Sequence, residues 1–363
     1  MDRKKMLGAG LLVGVLGVLL VLGGNPKNMG VCVVCFLRDI AGALGFHRAA
    51  IVQNIRLEIP GFILGSFIAS LMFKEFRPRG GSSTILRFFM GALVSISALV
   101  FLGCPLRMIL RLAGGDLNAF VGLLGFTSGI AIGIFFLKRG FTLGRSYPQP
   151  QVPGYTGPAF AVFLIILAVL APAFIFHSES GPGSLAAPLV YSLGAGLLIG
   201  FIAQRTRLCM VGGIRDMIMF KDSHLLLGFV AIFVAALVGN LVTGNFKLGF
   251  VEQPIAHSNH FYNYLGMLAT GLGAALLGGC PLRQLILAGE GDSDAMVTVM
   301  GLIVGAAVAH NFGLAASGAG VPINGQIANW IVLALLVTIG FSARATMRAT
   351  RTKTINAGKE VKA

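Results

Sequence analysis

Two cysteines sit in the same five-residue box: Gly103-Cys104-Pro105-Leu106-Arg107 in the first half of the chain and Gly279-Cys280-Pro281-Leu282-Arg283 in the second, an offset of 176. A cysteine followed by proline after a long apolar run marks the start of a helix. Proline lacks the N–H that would be unpaired in a first turn, so Pro105 and Pro281 read as first helical residues and the cysteines as N-caps. A thiol placed there meets free N–H groups and the positive end of the helix dipole, which attract anions and favour thiolate. Arg107 and Arg283 add a full charge one turn further in. The bland alternative is a Gly-Cys-Pro kink packed on a neighbour, with the arginine snorkelling to the interface.

The duplication extends beyond the boxes. Gly115-Asp116 recurs as Gly291-Asp292, Gly125 as Gly301 and Gly129 as Gly305, which a repeated unit explains most simply. A second matched pair precedes them: Cys32 with Arg38-Asp39, and Cys209 with Arg215-Asp216, both spaced C-x5-R-D. Adjacent arginine and aspartate should point to different faces of a helix, the aspartate orienting a neighbouring helix's arginine while the other charge faces a cavity. The alternative is an interfacial helix with solvated charges. Cys32 and Cys35 also form C-x-x-C, a redox or metal spacing, but the second half has Gly212 at that place, so no such motif is repeated. All five cysteines lie inside repeated motifs, and their odd number argues against a disulfide framework.

These residues must be positioned by membrane helices. Residues are 56% hydrophobic and only 11% charged, with a mean hydropathy of +0.85, which overrules a soluble multidomain reading. The net charge of +15 comes from basic residues at the ends of apolar runs and in the tail, a positive-inside distribution rather than a nucleic-acid surface. Apolar runs of spanning length fall near 6–24, 57–73, 84–103, 118–137, 158–176, 186–204, 225–243, 263–279, 294–313 and 327–343. No small-x-small cleavage site follows the first, so it reads as a span and not a secretion signal. The expected fold is therefore an all-α polytopic membrane protein of about ten spans, arranged as two five-span repeats. An odd number of spans per unit makes the repeats inverted. Short apolar stretches at 108–113 and 284–288 read as half-helices packed in protein. The expected organisation is a first repeat core over 1–137, a linker over 138–157, a fifth span with the second repeat over 158–343 and a basic cytoplasmic tail over 344–363, with both termini cytoplasmic.

With the duplicated G-C-P-L-R and C-x5-R-D motifs in a ten-span inverted-repeat chain, the sequence resembles the YeeE/YedE family of sulfur transporters over essentially its whole length, and most closely the YedE/FdhT selenium-metabolism branch. The resemblance implies an inner-membrane transporter, not an enzyme, for a small sulfur or selenium anion such as thiosulfate. It also implies thiols that hand substrate across through S–H···S contacts, a role falling on Cys104, Cys280, Cys209 and Cys32. On this reading the substrate-binding set adds Arg107, Arg283, Arg38 and Arg215 as a positive funnel, with Pro105 and Pro281 shaping the two boxes. Cys32 is expected near the outside, Cys209 near the cytoplasm, and Cys104 with Cys280 between them. Expected partners are the anion, the lipid bilayer and, as a candidate, a cytoplasmic sulfur-carrier protein; no cofactor, metal or nucleic acid is called for. The competing class is a membrane-embedded sulfur or selenium transferase that forms a persulfide or selenosulfide on Cys104 or Cys280. Cys35 and the intramembrane His310 have no repeat counterpart and no assigned role.

Overall fold

The chain is all-α, and its computed structural model describes residues 3–360, with side chains described to residue 342. The side chains of the basic tail, 344–363, therefore lie outside the described residues. In order, the helices of the first half are α1 (Arg3–Leu22), α2 (Val33–Ala43), α3 (Glu58–Met72), α4 (Thr84–Phe101), α5 (Pro105–Ala113) and α6 (Leu117–Lys138). A one-turn α7 (Gln151–Gly154) leads into α8 (Thr156–Leu170). The second half runs through α9 (Leu189–Thr206), α10 (Met210–Phe220), α11 (His224–Val242), α12 (His260–Leu276), α13 (Pro281–Gly289), α14 (Ser293–Asn311) and α15 (Ile323–Glu360). Among the described residues, eight segments are long and apolar enough to cross a membrane. Two of the expected ten spans, α3 and α8, are apolar helices of 15 residues. The run expected over 158–176 stops early because Ala171 turns into the left-handed region at φ 39 and Pro172 cannot continue the helix.

The repeated boxes break the chain at equivalent places. After α4, Leu102 adopts φ 64, and Cys104 then caps α5 with Pro105 in its first turn. After α12, Gly278 adopts φ 81, and Cys280 caps α13 with Pro281 in the same position. A reversal of this kind needs a left-handed residue, which glycine supplies without strain. The repeated Gly-Asp pairs work next: Gly115 and Gly291 sit at φ 92 and 94, and Asp116 and Asp292 cap α6 and α14 by accepting from the N–H groups of Asn118 and Ala295.

Packing is exchanged between the halves. Helix α6 lies against α12 and α4 against α14; α1 lies against α11 and α3 against α9. Each pairing maps onto another when the halves are swapped, as a two-fold relation requires. The recurring glycines make these contacts: a Cβ on Gly125 or Gly129 would meet the backbone carbonyls of Tyr264 or Leu268, and one on Gly301 or Gly305 those of Phe88 or Ala92. Without a hydrophobic driving force in lipid, such close backbone approach is what binds one helix to another.

Loops gather at two ends joined by the helices. At one end the segment after α3 pairs with the segment after α6, through the short strands Arg79–Gly80 and Tyr147–Pro148, and Arg77 N–H donates to Glu290 O at 3.0 Å. At the other, Lys247 N–H donates to Gly114 O at 2.9 Å, and Arg56 reaches the carbonyls of Leu185 and Pro182, each at 2.7 Å. The segments that meet at the first end carry Lys74, Arg77, Arg79, Arg139 and Arg145.

Candidate functional site

The cysteines assemble in two pairs, one in each half. Cys32 caps α2, its Sγ accepting from Cys35 N–H at 3.3 Å, and the Cys104 thiol receives the Val33 N–H of the same helix at 3.3 Å. The two thiols also meet side chain to side chain. In the second half Cys209 caps α10 by accepting from Gly212 N–H at 3.4 Å, and its thiol meets that of Cys280. In each half, therefore, two helix N-termini converge head to head with a thiol on each. All five cysteines are free and buried.

Cys104 pairs with Cys32, and Cys280 with Cys209, one pair in each half. The reason is local: Cys32 and Cys209 are N-caps as much as Cys104 and Cys280 are, although no proline advertises them. Caps of converging helices have to meet.

The arginines are in less uniform surroundings than a positive funnel would supply. Arg38 folds back onto its own neighbour, donating to Asp39 Oδ1 through Nε at 2.9 Å and Nη2 at 2.7 Å. Arg215 does the same to Asp216 at 2.9 Å. The expectation that the adjacent charges point apart fails because a guanidinium stem is long enough to cross the helix face, and burial of Arg38 and Asp39 makes an unpaired charge costly. Asp39 does orient an arginine from elsewhere: Arg56, which the sequence reading passed over, donates from Nε to Oδ2 at 2.8 Å. Arg283 donates to Glu290 at 3.0 Å.

Arg107 differs. It is fully buried and donates to Asn28 O at 2.8 Å and Ile255 O at 2.9 Å, to Leu102 O, and to Cys35 Sγ at 3.3 Å. Its partners are carbonyls and a thiol, with no carboxylate among them. The fork expected to grip an oxyanion is thus occupied by three loop carbonyls, and what remains available is its charge, beside the three thiols of Cys32, Cys35 and Cys104. Asn28 also lines a cavity of about 220 Å³ with Lys27, Asn240, Asn245, Lys247 and Gln253. That cavity places Lys27 and Lys247 over the loop which holds Arg107, Lys247 being paired at 2.8 Å with Glu252 of the same lining.

Two further features complete the surroundings. Arg111, also fully buried, is neutralised by Asp116 at 2.7 Å and lies over the Phe101 ring at 4.3 Å; the repeated aspartate serves both as helix cap and as counterion. His310 stacks on His47, with ring centroids 4.6 Å apart and 27° between planes. The Ala49 N–H donates to His47 Nδ1 at 3.3 Å, so Nε2 carries the hydrogen and donates to Arg38 O at 3.0 Å. Burial lowers the pKa of the His47 imidazole in this loop, so it stays neutral.

Parts of the chain are similar to known proteins. Residues 205–360 match the family described as Sulphur transport. The thiosulfate transporter TsuA of Spirochaeta thermophila is 33% identical over 100 residues, 28% of this chain and 30% of the relative. The thiosulfate transporter TsuA of Escherichia coli is 30% identical over 121 residues, 33% of this chain and 34% of the relative. The chain thus matches about a third of the length of these curated relatives.

Proposed function

From the match of residues 205–360 to the family described as Sulphur transport, we propose that this protein is a sulphur transport (YeeE/YedE) family member that carries a small sulfur anion, thiosulfate or a close analogue, across the cell membrane. The single observation that carries the proposal is the pair of thiol pairs at converging helix N-termini. Each combines a positive electrostatic end, which attracts an anion, with soft donors. An S–H group is a weak hydrogen-bond donor and sulfur a weak acceptor, so contacts to a terminal sulfur are loose enough to be exchanged from one pair to the next, which conduction requires. Substrate would meet Cys32 and Cys104 together, then Cys209 and Cys280 together. A selenium-bearing anion offers the same soft atom and would compete for the same thiols.

Orientation follows from charge. The end that gathers Lys74, Arg77, Arg79, Arg139 and Arg145 takes the cytoplasmic side under the positive-inside rule, which puts Lys27, Lys247 and the Arg107 loop outside and the Arg283 end inside. Cys32 with Cys104 is then the outer station and Cys209 with Cys280 the inner one.

The deciding experiment is uptake of thiosulfate labelled in its terminal sulfur by liposomes containing only this protein. We expect accumulation that unlabelled thiosulfate competes away and sulfate, which lacks a soft terminal atom, does not. Vesicles that take up no label, or take up sulfate equally, would overturn the proposal. Label retained covalently on protein without entering the lumen would instead indicate a sulfur transferase.

A further inference from the structure

The two boxes are alike in sequence, but the two arginines are treated differently. Arg107 is held by carbonyls, whereas Arg283 faces the carboxylate of Glu290 at 3.0 Å. Glu290 is a buried residue at 7% exposure, and its only other ion-pair partner among the described residues is Arg79 at 3.6 Å. The position equivalent to Glu290 in the first half is Gly114, which carries no carboxylate and packs beneath the Asn28 side chain, whose Oδ1 a Cβ there would meet at 2.7 Å. The duplication therefore keeps the cation at both boxes and adds an internal anion at one.

We propose that Glu290 is the release element of the pathway, a built-in carboxylate that competes with the transported anion for Arg283. This deepens the transport reading and rests on it. An anion leaving the Cys209 and Cys280 thiols passes a guanidinium one turn along the same helix. An uncompensated cation there would hold the anion, and a site that binds too well stops conduction. With Glu290 in place, Arg283 exchanges one carboxylate for the passing anion and takes the carboxylate back as the anion departs. Because the competitor is tethered, its effective concentration is high. The box at Arg107 has no competitor and holds the anion more firmly, as an entry station should.

The test is Glu290→Gln, which keeps shape and hydrogen bonding while removing the charge. Slower release lowers maximal rate and KM together and leaves their ratio nearly unchanged, whereas simple loss of structure lowers the ratio. In liposome uptake of labelled thiosulfate we expect both maximal rate and KM to fall by about threefold or more, with their ratio within about twofold of the parent. Glu290→Asp should restore the rate. Adding Arg283→Gln to Glu290→Gln removes the naked cation and should bring the maximal rate back toward the parent value. This second variant also serves if the first proves unstable. Unchanged constants in Glu290→Gln, a fall in the ratio with KM constant, or no recovery in the double variant would overturn the role of Glu290. A parent protein that transports nothing would instead dispose of the transport reading itself.

Discussion

Replacing Cys104 with serine separates the chemistry of the thiol from its structural duty. In the folded protein the Cys104 sulfur accepts one long N–H···S bond, 3.3 Å from Val33 N, and faces the Cys32 thiol, in a place that is 1% exposed. Alanine would leave the Val33 N–H buried without a partner, at a cost of about 1 to 3 kcal/mol. Serine keeps an acceptor and a donor and is itself a preferred N-cap, so Cys104→Ser should change stability by no more than about 1 kcal/mol. Transport should respond in the opposite order of severity, because oxygen is hard and strongly hydrogen-bonding and makes no exchangeable contact with a terminal sulfur. A loss of uptake of about tenfold or more is expected, corresponding to ~1.4 kcal/mol in the barrier. Uptake of labelled thiosulfate into liposomes, alongside thermal unfolding of the same preparation in detergent, measures both quantities. Cys104→Ser protein with parental stability and an uptake rate within about twofold of the parent would refute the reasoning, because the soft atom would then be dispensable at the outer station.

Other expectations follow from the same geometry. Arg107→Lys keeps the charge but cannot serve three loop carbonyls and a thiol at once, and losing two charge-assisted hydrogen bonds should cost about 3 kcal/mol or more; a large fall in affinity with unchanged thermal stability would show that the fork grips the anion instead. Asp39→Asn leaves Arg38 and Arg56 buried without full compensation and should destabilise the protein by about 3 to 5 kcal/mol, whereas Asp216→Asn, whose partner Arg215 has a side chain 31% exposed, should cost under about 1 kcal/mol; equal melting shifts would contradict this contrast. Gly129→Leu forces a side chain against the Leu268 carbonyl and should destabilise the α6–α12 contact by about 3 kcal/mol, while Leu124→Ala, on an exposed position of the same helix, should leave the melting temperature nearly unchanged.

The duplicated boxes made the helix starts legible. Proline with a preceding cysteine marks a first turn by its missing N–H, and both boxes begin half-helices as the spacing predicts. Long apolar runs located the apolar helices, eight of which among the described residues are long enough to cross a membrane, since hydropathy records what faces lipid. Partner choice was not legible. The sequence carries Arg38 beside Asp39 but not the fold of the guanidinium onto it, and it carries Arg56 in a loop with nothing to mark its bond to a buried carboxylate. Cys32 and Cys209 lack the proline that flags a cap, so their meeting with Cys104 and Cys280 depends on convergence of helices distant in sequence. The offset between halves did carry one usable signal: positions that break the repeat, Cys35 against Gly212 and Gly114 against Glu290, both lie next to the boxed arginines.

Those departures matter because an ideal two-fold protein would offer identical chemistry at its two ends. For a passive path the anion gradient and membrane potential set the direction of net flux, and no arrangement of residues can alter that. What asymmetry can alter is the occupancy at each end for a given concentration. Here the Arg107 box has three thiols, a cation whose own partners include no carboxylate, and Lys27 beside a Lys247–Glu252 pair over its loop; the Arg283 box has two thiols and a cation shared with Glu290. Tight binding at the first end allows capture from dilute solution, but the same tightness at the second would trap the anion and slow every cycle. On the proposed transport reading, weakening only the second raises turnover without giving up capture, and a single carboxylate added to one copy of a duplicated box is the smallest change that would do so.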